Sequence, residues 1–192
     1  MAYNLKDVFY LGGSANITKA TDGSGSAQLD LSAYIDPIAR GRTKGTGLAV
    51  YKVHYSVMET ESNRTAAAPA ATAGILTMGL FAGAGTGDNA TAAITIGTDA
   101  NATYGADNNL NISSAHYYSP ASYPGADAKV EEFVMPSKDV PYVIVRDNVC
   151  LLYNVDAASK MTDTSLISVR LECAQITLDQ ATLNQLLRTQ TV

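Results

Sequence analysis

The sequence lacks tryptophan and is short of charge, histidine and cysteine. Lys, Arg, Asp and Glu make up 16% of its 192 residues, against about 25% in ordinary soluble domains. No run of about 18 consecutive apolar residues occurs, so no transmembrane segment is predicted. The amino terminus shows no basic region followed by an apolar stretch, and we therefore expect no secretory signal.

The shortage of positive charge bears on nucleic-acid binding. The formal net charge is −5 and the pI is about 4.9, whereas nucleic-acid-binding domains usually carry a basic face or arm. Only Lys6 and Lys19 precede the one basic cluster, which comprises Arg40, Arg42 and Lys44. We interpret this cluster as a solvated loop, or as a polar contact to a phosphate, a lipid headgroup or an acidic neighbouring subunit. A strong nucleic-acid-binding arm is not expected.

The motifs of common catalytic sites are also missing. The chain contains no Gly-Lys pair for a phosphate-binding loop and no G-x-G-x-x-G or G-x-S-x-G pattern. His54 lies beside Lys52, and no partner for general acid–base chemistry stands near it in the sequence. Cys150 and Cys173 fall in apolar segments and are expected to be buried thiols, with a disulfide between them left open. We predict no enzymatic activity, no cofactor and no metal site.

Alternation of apolar and polar residues indicates β-strands through most of the chain. One helix is predicted near the end, where Asp179 provides an N-cap and Leu183, Leu186 and Leu187 form an apolar stripe. The predicted strands number eight and cover residues 27–35, 47–58, 74–82, 92–96, 129–135, 142–146, 149–155 and 165–178.

This pattern predicts an all-β fold: a single-domain antiparallel β-sandwich with long loops and a short C-terminal helix. We assign the whole chain, residues 1–192, to one domain. Within it, residues 1–26 are predicted to form an N-terminal arm, residues 27–178 the β-sandwich, and residues 179–192 the helix and tail.

An aromatic cluster lies in a segment that we predict to be a long loop. It comprises His116, Tyr117, Tyr118 and Tyr123. Tyrosine combines a large ring with a polar tip and is enriched at interfaces. We therefore predict either a loop that contacts a ligand or a partner, or a group of rings that folds back onto one end of the core.

Eight predicted strands, long loops and few charges give a chain that resembles the single jelly-roll viral capsid proteins in architecture and composition. The resemblance implies an eight-stranded jelly roll. It also implies a coat protein of the virion, assembled in the host cytoplasm from copies of itself, with other virion proteins as further partners. One feature departs from the family: only Asp147 and Asn148 separate the strands predicted at residues 142–146 and 149–155. That spacing predicts a tight hairpin, whereas a jelly roll places these two strands in opposite sheets.

Self-assembly into a capsid shell is the leading functional prediction. A surface poor in Lys and Glu suits burial against a neighbouring subunit, and an apolar run near the amino terminus needs a cover. The alternatives are a carbohydrate-binding β-sandwich and a phage decoration or fibre protein. The predicted assembly interface comprises Val8, Phe9, Tyr10, Leu11, Leu183, Leu186 and Leu187.

Overall fold

The computed structural model describes residues 7–19, 23–36, 44–61, 74–83, 109–119, 129–155, 161 and 163–190. Within these ranges the chain forms nine β-strands and one α-helix. They are β1 (Val8–Ile17), β2 (Gly23–Asp30), β3 (Lys44–Glu59), β4 (Gly74–Ala82), β5 (Asn111–Ser119), β6 (Lys129–Val134), β7 (Tyr142–Ile144), β8 (Asn148–Val155), β9 (Ser165–Asp179) and α1 (Gln180–Thr189).

The strands form two antiparallel sheets that pack as a sandwich. One sheet has the order β1-β9-β3-β7 and the other the order β2-β8-β4-β5-β6. The chain therefore changes sheet at every step from one strand to the next except from β4 to β5 and from β5 to β6. This is the strand order of a jelly roll, to which β6 adds a fifth strand in the second sheet. The predicted antiparallel jelly-roll sandwich with a short C-terminal helix is confirmed.

The core lies between the two sheets because successive side chains of a strand point to opposite faces. On β3, Val53 and Val57 are fully buried while Lys52 is exposed; on β9, Val169 and Leu171 are buried in the same way. Each such aliphatic side chain stabilises the fold by about 1.5–3 kcal/mol relative to exposure to water. The long β3–β9 pair thus supplies the centre of one sheet and eight buried residues of the core.

Residues 8–17 are not part of a free N-terminal arm, which corrects the boundary predicted at residues 1–26. All ten residues of β1 pair with β9, and β2 begins at Gly23 rather than at Ala27. β1 is not among the predicted strands because Gly12 and Gly13 interrupt its alternation. Gly13 lets β1 pack closely on β2, because an added Cβ atom there would lie 2.6 Å from Leu29 Cδ1 and the leucine side chain would have to shift.

The predicted hairpin between β7 and β8 is also wrong. These strands lie in opposite sheets, and residues 145–147 form a corner between them. The residue that follows α1, Gln190, fixes this corner. The backbone N–H of Val145 donates to Gln190 Oε1 at 3.2 Å, and Arg146 Nη1 donates to the Gln190 carbonyl at 2.7 Å. The predicted departure from the jelly-roll strand order is therefore absent.

The C-terminal helix begins where predicted and packs on its own chain. The Asp179 side chain accepts a hydrogen bond from the backbone N–H of Thr182 at 2.8 Å, as an N-cap does. Leu183 is only 1% exposed and packs against Gly45 at the start of β3. Leu186 and Leu187 are half-buried. Leu183 is thus a core contact of the monomer, not an exposed surface for a neighbouring copy.

Candidate assembly surfaces

The sandwich has two lateral edges with different chemistry. On one side, β1 and β2 are the outermost strands of their sheets; we call them the low-charge edge. On the other side, β6 is the outermost strand of the five-stranded sheet; we call it the charged edge. Because an outermost strand has unpaired backbone groups along one side, each edge is a place where another chain could add a strand.

The low-charge edge carries almost nothing that would prevent such an addition. Strand β1, with the sequence VFYLGGSANI, contains no charged residue and no proline, and β2, with the sequence GSGSAQLD, contains one charge, at Asp30. In the described part of the chain, β1 pairs with β9 alone and without a register shift, and β2 pairs with β8 alone. Proteins usually protect such edges with charges, prolines or bulges, and β1 has none of these.

The two strands of the low-charge edge are held together from inside. Tyr153, on β8, lies against Gly25 of β2, where a Cβ atom would collide with its ring. Its hydroxyl donates to the carbonyl of Asn16 on β1 at 2.9 Å. Together with the contact of Leu29 on Gly13, this links the first strands of the two sheets. The edge is therefore a preformed surface of the folded monomer.

The charged edge is protected in the usual ways. Strand β6, with the sequence KVEEFV, has three charged side chains in six residues. Its pairing with β5 shifts register between Ser114 and Ala115, and Lys129 Nζ lies 3.9 Å from Glu131 Oε2. Charges and a bulge together disfavour the addition of a further strand.

The predicted amino-terminal interface residues are divided between two environments. Phe9 and Leu11 pack on the core from the inner face of β1, and Phe9 stacks on Tyr34 with ring centroids 5.3 Å apart. Val8 lies on the outer face beside a small apolar cluster, and Tyr10 is 58% exposed. The four residues therefore do not form one exposed apolar patch, and Tyr10 is the member that a neighbour could reach most readily.

The predicted aromatic loop is strand β5, and its alternation separates the aromatic residues. Tyr117 is 1% exposed and points into the core, where burial raises its pKa to about 12 with a further contribution from Glu59. His116 and Tyr118 lie on the outer face, with rings 6.0 Å apart. Tyr123 lies outside the described residues.

Phe133 of β6, which the sequence analysis did not single out, completes an aromatic group on this outer face. Its ring lies 4.7 Å from that of His116 and it is 44% exposed. Partial burial lowers the pKa of His116, and Glu131, its cross-strand neighbour, acts in the opposite direction. A single aromatic residue next to the end of a charged strand gave no recognisable signal in the sequence.

Of the basic cluster, Lys44 alone falls among the described residues. It is the first residue of β3 and is exposed. Hydrogen bonds from Thr182 lower the pKa of Asp179, and the charge of Lys44 acts in the same direction. Arg40 and Arg42 lie outside the described ranges, so their contact with a phosphate or a subunit stays a prediction.

The two cysteines are free and lie in different sheets. Cys150 is on β8 and Cys173 on β9, and both are buried. Burial raises the pKa of Cys150 to about 11 and that of Cys173 to about 12, so both thiols are protonated and unreactive at neutral pH.

Among the residues that the structure describes, no three His, Cys, Asp or Glu side chains are grouped as metal ligands would be. No helix within the same ranges is long and apolar enough to cross a membrane.

No protein-family model and no curated protein matches the sequence. Solved structures that match this chain include VP1 of Trichodysplasia spinulosa-associated polyomavirus, with 7% identity and a TM-score of 0.38 over 93% of this chain and 97% of that one. VP1 of New Jersey polyomavirus gives 7% identity and a TM-score of 0.39 over 89% of this chain and 100% of that one. The structure of Turnip Yellow Mosaic Virus gives 12% identity and a TM-score of 0.36 over 91% of this chain and 97% of that one. These are viral capsid proteins; the strand order alone carries the fold assignment.

Proposed function

We propose that this chain is a structural protein of a virion that assembles with copies of itself into a capsid shell. The observation that carries the proposal is the open, uncharged strand β1 on a jelly-roll sandwich. A neighbouring copy would add to β1 by main-chain hydrogen bonds, which need no particular side chains but are hindered by charge.

The low content of charged residues supports the same proposal. A chain with 16% charged residues has fewer charges to desolvate when subunits come together. The jelly roll supplies a rigid sandwich whose helix α1 is packed against its own strands, so assembly needs no refolding of the helix. We propose no catalytic role, since no catalytic motif occurs in the sequence, and we propose the virion as its location and other virion proteins as further partners.

Light scattering coupled to size exclusion, with electron microscopy of each peak, tests this proposal. The wild-type chain is expected to form discrete oligomers or shells. A monomer of 20.1 kDa at every concentration would overturn it, and would favour a decoration or fibre protein added to a shell built by another component.

A pair of serine variants tests whether β1 is the interface. Ser14, on β1, and Ser56, on β3, are both exposed and lie in one cross-strand row on either side of Ser168. Ser14→Lys places a charge on the open strand and should raise the concentration needed for assembly by about tenfold or more, which corresponds to about 1.4 kcal/mol. Ser56→Lys adds the same charge to a strand that is paired on both sides, and assembly should be unchanged. Equal effects of the two variants would contradict the role of β1.

The aromatic group on the other sheet favours a second candidate function, carbohydrate binding. His116, Tyr118 and Phe133 present neighbouring rings on the outer face of β5 and β6, and rings of this kind stack on apolar faces of ligands. Phe133→Ala would then abolish binding on a glycan array while leaving assembly intact. Absence of any glycan signal from the wild-type chain would remove this candidate.

A further inference from the structure

A polar groove lies on the outer face of the four-stranded sheet, between the two central strands. Its residues form two cross-strand pairs: His54 of β3 is opposite Arg170 of β9, and Ser56 is opposite Ser168. The groove has a volume of about 360 Å³, within the range of small-molecule pockets, which is about 300–1,000 Å³. It is lined by His54, Tyr55, Ser56, Ser168, Val169 and Arg170.

The positive charge at one end of this groove is not neutralised. Arg170 forms no salt bridge with any carboxylate in the described part of the chain. Its guanidinium lies over the ring of Tyr10, 5.0 Å from the centroid, a cation–π contact that holds the group but leaves its N–H donors available.

The nearest acidic residue on the same face is engaged elsewhere. Glu172 follows Arg170 by two positions on β9 and accepts a hydrogen bond from the Tyr10 hydroxyl at 3.4 Å. It is also the cross-strand neighbour of Lys52 on β3. Tyr10 therefore contacts both charged side chains, and the residues that line the groove include no carboxylate.

We propose that this groove binds a small oxyanion, of the sulfate or phosphate class. A guanidinium presents several N–H donors in a plane and matches such oxygens in a bidentate manner. The hydroxyls of the cross-strand pair Ser56 and Ser168 provide further donors, and His54 is the cross-strand neighbour of Arg170. The lining residues of the groove lie on β3 and β9, and the groove adjoins β1 where Arg170 contacts Tyr10. The inference does not depend on the capsid proposal.

Equilibrium dialysis of the full-length chain against radiolabelled sulfate, and separately against phosphate, tests this inference in any state of assembly. Saturable binding of about one anion per chain is expected, with chloride at equal ionic strength failing to compete. Arg170→Gln should weaken binding by about tenfold to a hundredfold, the loss typical of a charged hydrogen bond.

Arg188→Gln is the matched control, because Arg188 is an exposed arginine in the last turn of α1 and its loss changes the net charge equally. It should leave the affinity unchanged. Ser168→Ala, which removes one hydroxyl and no charge, should weaken binding less than Arg170→Gln does. Absence of saturable binding, or equal losses in the Arg170 and Arg188 variants, would overturn the inference and indicate only general attraction to a basic residue.

Discussion

The two edges of the sandwich differ in the charge and the regularity of their outermost strands. The β1 strand offers ten residues without a charge, whereas β6 offers three charges in six residues and a shifted register. Both strands are outermost in their sheets, so the same backbone groups need protection in each. Among the described residues, β6 carries the usual protection of an edge strand and β1 does not, which is the reason that we propose β1 as a contact between subunits.

The edges also differ in what fixes them from inside. Two glycines let β1 and β2 close on Leu29 and Tyr153, so this edge depends on small residues. At the opposite side, the Tyr55 hydroxyl hydrogen-bonds to Ser113 near the start of β5, and Tyr117, four residues further along β5, is buried in the core. The charged edge thus depends on large buried rings. Substitutions that reverse either property should damage one edge and spare the other.

The largest effect is expected for Tyr117→Ala, which removes a ring that is 1% exposed. Loss of a large buried aromatic side chain should lower the free energy of unfolding by about 3–5 kcal/mol, measured by urea denaturation. Tyr118→Ala is the matched control, since its side chain is on the outer face and the loss should be below about 1 kcal/mol. Equal losses would show that Tyr117 does not anchor this side of the core.

A smaller loss is expected for Gly25→Val at the low-charge edge. The new side chain would collide with the Tyr153 ring, and overpacking of this kind costs about 1–3 kcal/mol. The same denaturation experiment should show little change for Gly12→Ala, because a Cβ atom at Gly12 would meet only the Val169 carbonyl oxygen, at 3.4 Å. Full stability of Gly25→Val would mean that the two sheets are not locked together at this edge.

The strands with regular alternation could be predicted from the sequence, and those shaped by distant contacts could not. β3, β4 and β9 overlap predicted strands because a period of two is a local property. β1 was not predicted because Gly13, which breaks its alternation, packs against Leu29 on the other sheet. β5 was not predicted because serine is common in loops, although Ser113 and Ser114 are buried here. The false hairpin has the same cause, since Gln190, more than forty positions later, fixes the corner. The strand predicted at residues 92–96 lies outside the described residues.

The candidate surfaces show the same limit. The absence of charge and proline in residues 8–17 was readable in the sequence and marks the low-charge edge. Which of those side chains face outward was not, because it depends on pairing with β9. The aromatic group was half predicted: His116 and Tyr118 were named, but Phe133 reaches them only across a strand pair.

Removing the charges of β6 should convert the protected edge into a second place of association. The triple variant Lys129→Ser, Glu131→Ser, Glu132→Ser should form larger, less regular species than the wild-type chain in light scattering. Each substitution is exposed, so the free energy of unfolding should change by less than about 0.5 kcal/mol per site. Lys138→Ser with Asp139→Ser, in the exposed link after β6, is the control. Unchanged particle size in the triple variant would show that charge is not what protects this edge.

The last prediction concerns how ionisation of the two buried thiols changes the free energy of unfolding, an effect that is absent at neutral pH and appears only in alkaline solution. The folded pKa values of about 11 for Cys150 and about 12 for Cys173 lie above the unfolded value of 9.0. Their contribution to stability is therefore complete below pH 9 and is lost as the pH rises toward 11 and 12. Denaturation at pH 8 and pH 11 should show a steeper loss for the wild-type chain than for Cys150→Ala with Cys173→Ala. Parallel losses would assign the alkaline sensitivity to other groups.

Amide hydrogen exchange of assembled particles against dispersed subunits tests the central claim most directly, because it reports the pairing of each strand separately. We predict that the amides of β1 become strongly protected on assembly while those of β6 exchange at the same rate in both states. Equal exchange of β1 in particles and subunits, or new protection at β6 instead, would contradict the assignment of the low-charge edge as the interface between subunits.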